Sequence, residues 1–210
     1  MRRGKPLPAT SITPDLVVGE DGLARPLWAS RDELLMQYYD TEWGMPVTDE
    51  RGVFERLCLE IFQSGLSWRL ILQRRPLLRE AFAGFDVDAV AGFGDDDFER
   101  LMSDPGVIRN RLKISSVMRN ARATVALRES EPLNELVWGA KPTTTPRPAS
   151  AADVPSSSDE SRQLTKSLKA RGFSFVGPTN LFALMEAIGI VDTHLVGSHR
   201  RGTSGVWPAD

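Results

Sequence analysis

The sequence predicts an all-α protein, and three observations carry that prediction. Apolar residues recur at helical spacing through most of the chain, the periodic segments are bracketed by capping residues, glycine and proline, and no run alternates convincingly as a strand would. At 210 residues, 41% of them hydrophobic, the chain is long enough to bury the core of one large domain or two closely joined halves.

Residues 1–24 mix proline, glycine, threonine and scattered charge, and they read as a flexible N-terminal extension. The domain is therefore expected over residues 25–200, starting near RPLWAS, with residues 201–210 as a C-terminal tail. Ser30 is a candidate N-cap for the first helix, SRDELLMQYYDTEW, and Thr48 or Asp49 for the second, TDERGVFERLCLEIFQSG. Helical segments follow in LSWRLILQRRPLLREAFAGF, DVDAVAGF, DDDFERLMS and NRLKISSVMRNARATVALRES. Residues 140–158, poor in large apolar groups and rich in Pro, Ser and Thr, predict a long surface loop. Beyond it, DESRQLTKSLKARG ends on Gly172, a C-cap candidate, and GPTNLFALMEAIG opens with Pro178 and closes with Gly189.

Composition narrows the classes of function. Cys58 is the only cysteine, which excludes an internal disulfide and a cysteine-rich zinc module, and leaves packing as its job. No apolar run approaches the roughly 20 residues that span a bilayer, and the first residues lack the apolar stretch of a secretory signal. A cytoplasmic protein without membrane contact is expected. A formal net charge of -2 argues against blanket attraction to nucleic acid, so the places where basic residues cluster matter more than their sum.

One such cluster is the stretch LMSDPGVIRNRLKI, which joins two amphipathic helices through Asp-Pro-Gly. Gly106 is expected to take the positive φ of a tight turn, Val107 and Ile108 to plug apolar surface between the helices, and Asn110 to cap the second helix. Backbone N–H groups in such a turn, with Arg109, Arg111 and Lys113 beside them, form the layout of a helix-hairpin-helix clamp on a DNA backbone. A plain helix corner with solvated basic residues would give the same pattern. Arg119 and Arg122 extend the basic tract along the same helix of an acidic chain, which favours DNA.

The second helix carries a carboxylate against its apolar stripe. At about 100° per residue, Glu60 falls within roughly 20° of Val53 and is flanked by Leu57, Ile61 and Ser64. It either forms an i,i+4 ion pair with Arg56 or faces a pocket, because an unpaired buried charge is costly. Tyr38, Trp43 and Trp68 are the candidate walls of that pocket, although each taken singly reads better as core, where large aromatics usually pack. Asp40 and Glu42 read best as helix caps or partners of arginines.

Together these segments resemble the 3-methyladenine DNA glycosylase I (Tag) family, a branch of the helix-hairpin-helix glycosylases. The matching stretches are YYDTEWGMPVTDERGVFERLCLEIFQSGLSW, FAGFDVDAVAGF, DPGVIRNRLKI, NARA, LKARGFSFVGPTNLFALMEAIGIV and HLVGS, in family order over most of residues 25–200. The resemblance implies two helical subdomains flanking a base-binding cleft, with the hairpin at residues 104–111 gripping alkylated double-stranded DNA. It implies a monofunctional enzyme that flips 3-methyladenine out of the duplex, hydrolyses its N-glycosidic bond and leaves an abasic site. Glu60, the catalytic candidate, falls with Tyr38 and Trp68 at the family's base-pocket positions, and Trp43 and Gln63 on neighbouring ones. Gly106, Ile108, Arg109, Asn110, Arg111 and Lys113 fall where the family holds DNA. A monomer is expected. The alternative is a Tag-like paralogue that binds DNA or damage with weak or no catalysis.

The family's structural zinc is where the resemblance breaks. Of its two cysteines and two histidines only His194 remains, and Pro26, Tyr39 and Ser198 occupy the other positions, so no metal or other cofactor is expected. Tyr39 and Pro26 are expected to pack where the metal would sit, with His194 as a hydrogen-bonded structural residue. Nearer the pocket, Ile61 replaces a glycine, Ser64 an alanine, Phe182 a tyrosine and Glu186 a glutamine, while Asp192-Thr193 replaces Asn-Asp.

Overall fold

A computed structural model describes residues 15–208. Ten α-helices dominate: α1 (Leu27–Ser30), α2 (Glu33–Thr41), α3 (Glu50–Gln63), α4 (Trp68–Ala81), α5 (Val87–Ala91), α6 (Asp95–Ser103), α7 (Arg111–Leu127), α8 (Leu133–Gly139), α9 (Asp159–Ala170) and α10 (Pro178–Ala187). The expected helices are present with the expected punctuation. Asp49 caps α3 through Gly52 N, Asn110 caps α7 through Lys113 N, Pro178 opens α10, and Gly172 and Gly189 take φ of +88° and +78° just past α9 and α10. For α2 the cap is Asp32, not Ser30; its side chain accepts from Leu35 N.

The N-terminal reading needs correction. Strands β1 (Leu16–Val18) and β2 (Ala24–Pro26) pair antiparallel, so the ordered fold begins before residue 25. Three-residue strands are too short to show a period. The rest of the anticipated extension, residues 1–14, lies outside the described residues. Residues 140–158 contain one 3₁₀ turn at Ala151–Asp153 and pack against the C-terminal segment: Pro148 accepts from Val196 N at 2.9 Å, and Thr145 Oγ1 donates to the Asp192 carbonyl at 3.0 Å. Trp207 is buried too, donating through Nε1 to the Ile190 carbonyl, so residues 201–208 are bound to the body.

Helix α3 is the axis of the molecule. Every residue from Val53 to Phe62 is buried, and α3 touches α4, α7, α8 and α10. Leu57, Leu59, Ile61 and Phe62 join Phe82, Phe85, Ile114, Phe182 and Met185 in one core. Burying a side chain of that size stabilises by about 1.5–3 kcal/mol, so α3 is held by packing on all sides. That makes it a rigid mount for a site at its end.

Candidate active site

Helix α3 ends at Gln63, and the turn to α4 runs through Gly65, whose φ of +78° suits glycine. Ser67 then caps α4, accepting from Leu70 N, and Trp68 is the first helical residue. One short connection therefore brings Glu60, Gln63 and Trp68 together. Lys113 fixes it from behind, donating through Nζ to the carbonyls of Phe62 at 2.8 Å and Ser64 at 2.5 Å. Helix α10 fixes it from the far side, where Asn180 Nδ2 donates to the Glu60 carbonyl at 3.3 Å.

Beside this end of α3 lies a cavity of about 570 Å³. Tyr38, Trp43, Glu60, Gln63 and Trp68 all line it. The rings of Tyr38 and Trp68 stand 5.4 Å apart at 53°. Three polar groups on this wall have no intramolecular partner among the described residues: the Glu60 carboxylate, the buried Tyr38 hydroxyl and the buried Trp68 Nε1. Such groups cost free energy unless something meets them. Burial pushes Glu60 up to about 8, with Glu186 adding to the rise and Arg56 opposing it. Burial also raises Tyr38 above the ordinary tyrosine value.

The ion pair between Arg56 and Glu60 does not form. Arg56 Nη2 donates instead to Glu42 Oε2 at 2.7 Å, and Arg75 reaches the same oxygen at 2.6 Å. Burial would raise Glu42, but Arg75 and Arg56 outweigh it and hold the carboxyl below its ordinary value. Asp40 is likewise bound by Arg25 at 2.7–3.1 Å. Both acids are therefore structural, as the sequence suggested.

A residue that the sequence reading passed over as a mere departure also lines the cavity. Glu186 near the end of α10 accepts from Thr193 Oγ1 at 2.6 Å, and burial pushes it up to about 7. The available signal was a carboxylate inside the apolar run NLFALMEAIG.

Three of the four zinc positions, Pro26, Tyr39 and His194, also line the cavity, and the donors of the four do not suit the metal. Pro26 offers no ligand atom, and the Tyr39 hydroxyl is hydrogen-bonded to Ser198 Oγ. Burial pulls His194 below the ordinary histidine value, so its imidazole is neutral; Nδ1 donates to Asp192 at 2.7 Å and the buried Nε2 has no partner. One imidazole and two hydroxyls engaged with each other do not make a tetrahedral zinc site. Among the described residues no cluster of three His, Cys, Asp or Glu could hold a metal. Rings fill the space: Tyr39 lies 5.3 Å from His194 and stacks on Trp43 at 5.7 Å, and Trp43 stands 4.6 Å from His194.

The hairpin between α6 and α7 matches the predicted layout with two corrections. Val107 is buried and Ile108 half-buried against the core, while Arg109 and Asn110 are exposed. No partner is found among the described residues for the Arg109 guanidinium or for the backbone N–H groups of Ile108, Arg109, Arg111 and Leu112. Arg111 is exposed, stacked on Phe98 at 4.6 Å. Gly106, however, does not adopt positive φ; a Cβ there would meet Leu77 Cβ at 3.2 Å, so close approach to α4 is what glycine permits. Lys113 is buried on the α3 carbonyls and is not part of this surface. Burial lowers its pKa, and its Nζ is too committed to act as a nucleophile. Arg122 is partly spent on the carbonyls of Ala91 and Phe93.

Comparison with known proteins agrees with this geometry. A family model described as methyladenine glycosylase matches residues 28–201. DNA-3-methyladenine glycosylase 1 of Escherichia coli (strain K12) is 41% identical over 174 residues, covering 81% of this chain and 92% of that protein. DNA-3-methyladenine glycosylase of Haemophilus influenzae is 37% identical over 172 residues, 80% of this chain and 92% of its own. A crystal structure of 3-methyladenine DNA glycosylase I superposes with a TM-score of 0.80 at 39% identity, over 83% of this chain and 98% of the other. The Staphylococcus aureus 3-methyladenine DNA glycosylase I, solved for the basis of its 3-methyladenine recognition, gives 0.78 at 29% identity, over 83% and 94%.

Proposed function

The chain belongs to the methyladenine glycosylase family, and from that premise we propose that the cavity beside α3 is its base slot, with Glu60 as the selecting carboxylate. The protein is a DNA-3-methyladenine glycosylase, an enzyme of DNA repair. What supports the assignment of the slot is one observation: the Glu60 carboxylate lines the cavity without a partner, although a basic residue lies one helical turn away.

The chemistry follows from the lesion. Methylation at N3 makes the nucleobase cationic and already a good leaving group, so a modest catalyst suffices. Turning it out of the stack costs a few kcal/mol, and stacking on Tyr38 and Trp68 returns about 1–3 kcal/mol. The electron-rich ring faces favour the cation. Glu60 accepts from the exocyclic amine; at neutral pH the empty slot holds it largely protonated, and the arriving cation draws out the carboxylate while the proton leaves to solvent. Water attacks the sugar C1′, the C1′–N9 bond breaks, the bond's electrons neutralise the departing base, and the water proton goes to bulk. Asp40 and Glu42 are held by arginines, so no side chain is assigned as general base.

The reading extends to the DNA. Arg109, Arg111 and the free N–H groups of Ile108, Arg109, Arg111 and Leu112 bind duplex phosphates, positioning without reading sequence. The enzyme acts as a monomer on alkylated double-stranded DNA in the cytoplasm. No helix among the described residues is long and apolar enough to cross a membrane. A free-base release assay on methylated duplex tests the assignment: the wild type is expected to liberate 3-methyladenine and Glu60→Gln to lose most of that activity while still binding duplex. Full activity in the variant would refute the role given to Glu60.

A further inference from the structure

Glu186 is a carboxyl group of the cavity to which this reading gives no task. It stands on α10, between the buried Met185 and Ala187, and α10 is tied to α3 through Asn180 and the Glu60 carbonyl. The two carboxylates are thus carried on elements fixed to one another. Thr193 occupies Oε1 of Glu186, and no donor among the described residues reaches Oε2.

Among the described residues no cation forms an ion pair with either carboxyl group. From α3, Arg56 is bound to Glu42 through Nη2, and its buried Nη1 meets no partner among the described residues, so it eases the charge on Glu60 only from a distance. From α4, Arg69 is exposed and bound to Asp32. From the C-terminal segment, neutral His194 donates to Asp192, and Arg201 donates to the carbonyls of His194 and Pro146. From α2 comes Tyr38, whose hydroxyl burial keeps protonated.

A neutral purine needs only one acceptor for its amine, and Glu60 supplies it. Two carboxyl groups around one volume with no cation bonded to either are costly to ionise unless the occupant is positively charged. We propose that Glu186 is a specificity-determining residue: a second carboxylate of the slot that selects for positive charge on the base, an N-alkylated purine cation, over a neutral purine of the same shape. This rests on the base-slot reading of the cavity.

The test measures binding of two uncleavable probes to the full chain, the permanently cationic 3,9-dimethyladenine and the neutral isostere 3-deaza-3,9-dimethyladenine. At about pH 8.5 carboxyl groups titrating at about 8 and about 7 are largely ionised. In Glu186→Gln the preference for the cation is expected to fall about tenfold, the equivalent of one pKa unit, with affinity for the neutral probe nearly unchanged. An unchanged preference overturns the proposal. Thr193→Val gives an independent check should that variant not fold. Losing its donor raises the Glu186 pKa, so the rise of cation preference with pH is expected to move upward, and an unmoved rise overturns the proposal. Failure of the base-slot reading looks different. A wild type that binds neither probe sinks that reading and the inference with it, whereas cation-selective binding without release of 3-methyladenine from DNA sinks the assigned chemistry and leaves the inference standing.

Discussion

Arg56 and Glu60 lie one turn apart on α3, yet the arginine turns away to Glu42 at 2.7 Å and leaves the glutamate unpaired at the edge of the cavity. An i,i+4 pair of this kind returns only about 0.3–0.5 kcal/mol on an exposed helix. Glu42 offers more, because its carboxylate already holds Arg75, which also holds Glu55 at 2.8 Å. The network Arg56–Glu42–Arg75–Glu55 thus removes the one cation that local sequence would have given to Glu60.

Stability should record that isolation. The folded pKa of Glu60, about 8, lies above its ordinary 4.5, so the folded protein keeps a proton that the unfolded chain releases. Stability from this source is complete below pH 4.5 and is lost as pH rises toward 8, and Glu186 adds the same trend up to about 7. Thermal midpoints of the wild type are expected to fall across that window. Glu60→Gln, which stays neutral, should fall less, retaining on the order of 2–4 kcal/mol near the upper end. Parallel melting curves for the two proteins would contradict the assignment.

Much of this was legible from local pattern. Helical periodicity and caps gave the main helices, and the wheel put Glu60 beside the buried stripe, where it is 6% exposed. What escaped depends on distant partners. Lys113 looked like one more base in a basic tract, but its Nζ finds carbonyls about fifty residues away in sequence. Gly106 looked like a turn glycine, but what a side chain there would meet is Asp104 Oδ1 at 3.0 Å and Leu77 on another helix at 3.2 Å. Glu186 owes its importance to a cavity whose other walls include residues of α2, α3 and α4, far from it in sequence.

Lys113 and Arg109, neighbours in the hairpin sequence, should separate experimentally. Lys113→Met leaves the Phe62 and Ser64 carbonyls unmet, at a cost of about 1–3 kcal/mol, and loosens the end of α3 that carries Glu60 and Gln63. Denaturant unfolding should show that loss, and excision should drop, while the salt dependence of duplex binding stays as in the wild type. A changed salt slope with unchanged stability would return Lys113 to the DNA surface.

Arg109→Ala should behave in the opposite way. Its exposed guanidinium has no partner among the described residues, so stability should stay within about 0.5 kcal/mol. Duplex affinity should weaken for any sequence, and the slope of log K against log salt should shrink by about 0.9, one phosphate contact. Titrations over a range of salt concentrations check both, and an unaltered slope would remove Arg109 from the interface.

The contact between Tyr39 and Ser198 joins α2 to the C-terminal segment at the positions where relatives of this fold are expected to use zinc. Tyr39 is fully buried and Ser198 nearly so, so Tyr39→Phe leaves the serine hydroxyl, among the described residues, with only the Arg200 N–H at 3.2 Å, while keeping the ring's packing against Trp28, Trp43 and His194. That should cost about 1–3 kcal/mol, or several degrees in melting temperature for a chain of this length. Prolonged chelation of the wild type should leave the midpoint where it was, since the closure is made of rings and a hydrogen bond. A chelator-sensitive midpoint together with a neutral Tyr39→Phe would mean that a metal, and not this pair, ties the ends together.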